Sequence, residues 1–197
     1  MRFISKGFEL TLLVLFFAPL LASAAETGPV RCDKTQLHPS APLETRQFEF
    51  LVGDFAINLH AWQGGAWTPP RPTKARWNGW YGLNGMAIVD EWYDPEPAID
   101  PNGGRGINVR MYDPDEGLWK MMWISTSGKQ VTDLRAQVID GVLTMWQVNP
   151  GGANTRSEFK VADDDHWVRT SYVPGEKEGE WLPQFKLAAS RIPCGQS

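Results

Sequence analysis

From Phe48 onward, apolar and polar residues alternate in short runs, and glycine, proline and aspartate separate the runs. The stretch "GINVRMYDPDEGLWKMMW", Gly106 to Trp123, shows this most fully. A period of two sends successive side chains to opposite faces of a strand, and "DPDEG" supplies the turn between two such runs. Similar runs are "FAINLHAW", "TKARWNGWY", "MAIVDEWY", "QVTDLRAQVI", "VLTMWQV", "TRSEFKV", "HWVRTSYV" and "WLPQFKLAASRI". Turn signals fall between them at short intervals, among them Gln63-Gly64-Gly65, Ser127-Gly128, Asp140-Gly141 and Pro150-Gly151-Gly152. About ten short strands with hairpin-length connections predict an all-β fold. A closed antiparallel up-and-down barrel of about 8–10 strands suits them best, because closure removes exposed strand edges. The one competing helical signal is a turn near Ala41 to Phe50.

The 106–123 hairpin has two registers to choose between. If Tyr112 faces Leu118, then Arg110 faces Lys120, and two like charges stand directly opposite. If Tyr112 faces Trp119, that clash disappears. Asn108, Arg110, Tyr112, Trp119, Met121 and Trp123 then share one surface, and Ile107, Val109, Met111, Leu118, Met122 and Ile124 share the other with Lys120. The second register is preferred. Lys120 needs water and marks its face as the outer one, which turns Arg110 inward.

The first residues read differently. Arg2 and Lys6 precede an apolar run from Leu10 to Leu21, broken only by Thr11 and Pro19, and Ala22-Ser23-Ala24 offers small residues for cleavage. This predicts a secretory signal peptide over 1–24. The run is short for a membrane span, and no stable membrane insertion is expected after cleavage. Cleavage leaves 173 residues and moves the net charge from −4 to −5. A mildly acidic chain gives no basic face for nucleic acid or an anionic membrane. The expected location is periplasmic or secreted. The organisation expected is a Pro-rich lead-in over 25–45, a barrel domain over 46–192 and a short tail over 193–197. The chain's two cysteines, Cys32 and Cys194, stand at its two mature ends. In an oxidising compartment such a pair is expected to form a disulfide, which would bring the termini together.

Ten tryptophans are spread through the predicted strands. Each brings a large apolar body and one N–H donor. Trp77, Trp92, Trp119 and Trp123, with Asn108, Arg110 and Tyr112, are therefore candidate walls of an interior site; core filling is the plainer role for any single ring. "VDEWYD" puts Asp90 and Glu91 side by side on one strand, so they face opposite ways. The inward one, left open between the two, is the expected partner of Arg110. That pair either anchors a ligand's polar group or acts as an internal cross-link. His38, His60 and His166 lack zinc-site spacing, and Asp163-Asp164-Asp165 lacks calcium-loop spacing. No metal is implied. "NGGRG" at 102–106 is not followed by a helix, so it is read as a loop and not a phosphate cradle.

Taken in order, "FEFLVGDFAINLHAW", "WNGWYGLNGMAIVDEW", "GINVRMYDPDEGLWKMMWI", "DGVLTMW" and a closing strand ending in Arg191 resemble a bacterial domain-of-unknown-function family of calycin-like β-barrels, related in shape to lipocalins and fatty-acid-binding proteins. The resemblance runs from about Phe48 to Arg191. Gly53, Trp77, Gly85, Asp90, Glu91, Asn108, Arg110, Tyr112 and Trp119 match its pattern, and Phe55 departs from it where a tryptophan is usual. The resemblance implies a closed barrel with a central cavity and no agreed activity. The haem-binding nitrobindin barrels carry a Gly-x-Trp-x-Gly-x-Gly motif that is missing here, so no cofactor is implied.

Three readings of function follow. In the first, an exported barrel binds a small hydrophobic or aromatic molecule with a polar group. In the second, a lipocalin-like isomerase, hydratase or hydrolase uses Arg110 to stabilise charge and Asp90 or Glu91 as acid or base. In the third, the interior is filled and the barrel is structural.

Overall fold

The alternating runs form strands that pair in sequence order until the last meets the first. A computed structural model describes residues 35–94, 104–126, 130–148 and 155–194. They hold a 3₁₀ helix (Leu43–Leu51) followed by β1 (Gly53–Gln63), β2 (Ala66–Trp67) and β3 (Arg71–Gly82). After a 3₁₀ turn at Leu83–Gly85 come β4 (Ala87–Tyr93), β5 (Arg105–Asp113), β6 (Leu118–Ser125) and β7 (Gln130–Ile139). β8 (Val142–Gln147), β9 (Arg156–Asp163), β10 (His166–Pro174) and β11 (Trp181–Arg191) complete the sheet. β11 pairs antiparallel with β1, from Phe55 opposite Arg191 to Ala61 opposite Phe185. The sheet is thereby closed into an antiparallel ten-strand barrel, with the two-residue β2 as an addition beside β1. Among the described residues no helix is long and apolar enough to cross a membrane. The 10–21 apolar run and Cys32 lie outside the described residues.

The hairpin of β5 and β6 adopts the register without the charge clash. Tyr112 stands opposite Trp119, Arg110 opposite Met121 and Asn108 opposite Trp123. Asn108, Arg110, Trp119 and Met121 are buried, whereas Met111, Met122 and Ile124 on the other face are exposed. Lys120 sits at the surface, bonded to Glu116 at 2.6 Å and Asp113 at 2.7 Å.

Direction of travel distinguishes the two barrel ends. At one end the strands are joined by tight turns, such as Asp140-Gly141 between β7 and β8. Both of those residues have positive φ, 51° and 81°, the backbone of a two-residue hairpin that glycine adopts readily. The 3₁₀ helix covers the same end. Phe48 and Leu51 enter the barrel without exposure, and the Phe48 ring lies edge-on to Trp119 at 4.8 Å and Phe159 at 5.5 Å. Gly79 on β3 allows this, since a Cβ there would overlap the Leu51 carbonyl. The acidic turn after β9 is tied in as well: Arg191 Nε donates to Asp165 Oδ1 at 3.0 Å, and its Nη1 donates to the Val52 carbonyl at 2.9 Å. At the other end of the barrel the connections following β4, β6 and β8 lie partly outside the described residues.

Candidate ligand site

The interior is layered along the barrel axis. Phe48, Phe55, Trp119, Phe159 and Trp167 fill the closed end with ring contacts. Above them comes a charged layer. Asp90 on β4 points inward beside β5, where Asn108 faces it across the ladder and Arg110 lies two residues further. Asp90 and Arg110 form an ion pair in contact, and both side chains are fully buried. The Phe48 ring lies 5.0 Å from the Arg110 guanidinium carbon and Trp77 lies 5.9 Å from it. Burial and the nearby Arg169 charge push the Arg110 pKa down to about 9. The Asp90 carboxylate works in the opposite sense, and the guanidinium stays protonated at neutral pH.

Beyond this layer, toward the end with the longer connections, an open cavity of about 370 Å³ remains. Its walls are the rings of Trp77, Trp92, Trp123 and Phe185 and the aliphatic side chains of Ile57, Leu59 and Leu187. Gly106 makes room for one of these walls, since a Cβ there would overlap the Trp123 ring. Among the described residues, the single charged one lining the cavity is Arg169 of β10. Its guanidinium carbon lies 5.6 Å from the Trp77 ring centre and 5.7 Å from that of Phe185. Such ring contacts are favourable for a cation but do not replace a counter-ion. Burial lowers its pKa to about 10, so it too is charged at neutral pH. Its Nε has no hydrogen-bond partner among the described residues, and neither has the buried Trp77 Nε1.

The residues expected from the sequence thus separate into three groups. Trp77, Trp92 and Trp123 line the cavity. Arg110, Asp90 and Asn108 lie buried in the layer beneath it, and Tyr112 and Trp119 belong to the packing near the closed end, 5.7 Å apart between ring centres. The Trp119 N–H is taken by Gln47 Oε1 at 2.9 Å. Glu91 is on the outside of the barrel, 3.6 Å from Arg105. It opposes Ile107 in the ladder, and this parity sends it away from Arg110. Neither carboxylate lines the cavity, so the geometry gives no support to Asp90 or Glu91 as an acid or base acting on a bound substrate. The cavity also departs from the expectation of a filled interior. Arg169 was absent from the expected set, although Trp167, Arg169 and Ser171 repeat in β10 the alternation of Asn108, Arg110 and Tyr112 in β5. Among the described residues no group of His, Cys, Asp or Glu is arranged to hold a metal ion.

No family model matches the chain, and no curated protein matches it. Among solved structures it is similar to an S-type phycobiliprotein lyase, CPES, from Guillardia theta, at 14% identity and a TM-score of 0.48, over 75% of this chain and 92% of that one. The strand pairing itself, ten antiparallel strands closed in sequence order, fits a calycin-like barrel.

Proposed function

We propose that the protein is an exported barrel that binds a small hydrophobic or aromatic molecule carrying a polar group. The observation that carries this reading is the cavity of about 370 Å³, walled by three tryptophans and a phenylalanine and entered by one arginine. Its size lies toward the lower end of the usual range for small-molecule sites, about 300–1,000 Å³. An apolar wall with a few placed polar groups is the common make-up of such sites. A cavity of this kind in a purely structural barrel would leave its lining without packing partners, which is unfavourable.

Intrinsic tryptophan fluorescence tests the reading directly, because three of the ten indoles border the space. The full chain is titrated with a fatty acid, an isoprenoid alcohol, an aromatic acid and an aromatic amide, and the purified protein is inspected by native mass spectrometry for a copurifying small molecule. A saturable spectral change with at least one compound is expected. No change with any of them, together with no bound species, would sink the proposal.

A further inference from the structure

Among the described residues that line the cavity, every side-chain polar atom is a hydrogen-bond donor. The one polar side-chain atom of Trp77, Trp92 and Trp123 is an indole N–H, Arg169 carries a guanidinium, and the other described lining residues are hydrocarbon. Indole and guanidinium have no acceptor to offer. A ligand with its own N–H or O–H would leave that donor unpaired inside the barrel, at a cost. A cation would meet Arg169 with no carboxylate among the described lining residues, and Asp90 in the layer below is already held by Arg110.

We propose that the ligand is an organic monocarboxylate on an apolar, ring-containing body, with Arg169 as its counter-ion and the Trp77 N–H as a second donor. This rests on reading the cavity as a ligand site and adds the chemical class. An ionised carboxylate is acceptor-only, and its planar geometry matches a guanidinium edge. A phosphate dianion would call for further cations, and Arg169 is the single charged residue among the described ones on the wall. The two donors lie near one another: Trp77 is 2% exposed with its Nε1 unpartnered, Arg169 Nε is unpartnered, and the Arg169 guanidinium carbon lies 5.6 Å from the Trp77 ring centre. Asp90 is held by Arg110, and no carboxylate stands among the described residues lining the cavity, so a ligand carboxylate would give Arg169 a counter-ion. Arg110 would then brace the floor and Arg169 would select the ligand.

The test compares three molecules with the same body: 4-phenylbutyrate, 4-phenylbutyramide and 4-phenylbutylamine. Each is titrated into the full wild-type chain at neutral pH, followed by tryptophan fluorescence and calorimetry. The acid is expected to bind at least about tenfold more tightly than the amide, and the amine not at all. Arg169→Met keeps the apolar stem and is expected to lower affinity for the acid about tenfold while leaving the amide within about threefold. Equal affinity for acid and amide in the wild type would overturn the proposal while leaving the cavity a ligand site. Binding of the amine in preference to the acid would overturn it too. So would an Arg169→Met protein that keeps the full acid preference. Should that variant not fold, the wild-type comparison still decides. The broader ligand reading fails separately, when no compound of its mixed panel gives a signal.

Discussion

At Asp90 and Arg110 two opposite charges touch with no solvent beside either. Taking both from water costs several kcal/mol per ion, and their attraction roughly repays it only while both are present. Asp90→Asn strands the Arg110 charge and is expected to cost about 3–5 kcal/mol of stability in urea unfolding. A double variant, Asp90→Leu with Arg110→Met, removes both charges and should lie closer to wild type than the single change does. Equal losses in the two would show that packing, and not the uncompensated charge, governs the site. The inward turn of Arg110 is legible in the sequence because the wrong register sets it against Lys120. The choice of Asp90 over Glu91 is not, since neighbouring carboxylates on one strand are equivalent until the strand beside them is aligned. Arg169 was legible even less. Its β10 alternation resembles that of β5, and nothing local says which of two inward arginines meets a partner.

At the scale of elements, the β5–β6 hairpin and the 3₁₀ helix illustrate two kinds of support. In the hairpin turn, Asp113 Oδ1 accepts the N–H groups of Asp115 at 3.0 Å and Glu116 at 3.2 Å, and its other oxygen meets Lys120. The Lys120 ammonium first, and the Glu116 N–H next, hold its carboxyl below the usual aspartate range. A depressed carboxyl pKa contributes stability that is fully present above its unfolded value, about pH 3.9, and is lost as pH falls through the folded value. Asp113→Asn should therefore be less stable than wild type at pH 7, with the gap closing as pH is lowered below about 4. Urea midpoints measured at both ends of that range check this, and a gap independent of pH would contradict it. The helix acts through volume instead. Phe48 is unexposed between Trp119 and Phe159, so Phe48→Ala is expected to cost about 3–5 kcal/mol, read as a fall in thermal and urea midpoints. A loss under 1 kcal/mol would mean that the helix does not seal the barrel.

For the molecule as a whole, a link between the two ends of the chain would have the largest effect. Cys194 follows β11 near the closed end, and its expected partner Cys32 lies outside the described residues. A bridge between them would close nearly the whole mature chain into one loop, worth roughly 4–5 kcal/mol in the chain-entropy model. Mass spectrometry of the alkylated, non-reduced protein should then find no free thiol, and reductant should lower the urea midpoint without altering the native spectrum. Two alkylated cysteines in the non-reduced protein would remove the bridge. Processing after Ala24, the basis for proposing export, is checked by the intact mass of the protein recovered from the periplasm or medium.

The succession of short strands and the inward face of β5 were determined by the sequence, because a period of two and like-charge repulsion act between residues near one another in the chain. The helical turn before β1 was also legible. The location of the open space was not. A cavity is the volume left over when rings from distant strands have packed, here toward the closed end around Phe48 and Trp167. It depends on the height each side chain reaches along the barrel axis, which only closure of β11 on β1 sets. That same height decides the roles of the two inward arginines. Arg110, two residues along from the position opposite Asp90, reaches that carboxylate and is paired with it, whereas Arg169 lies where the described walls are indole and hydrocarbon.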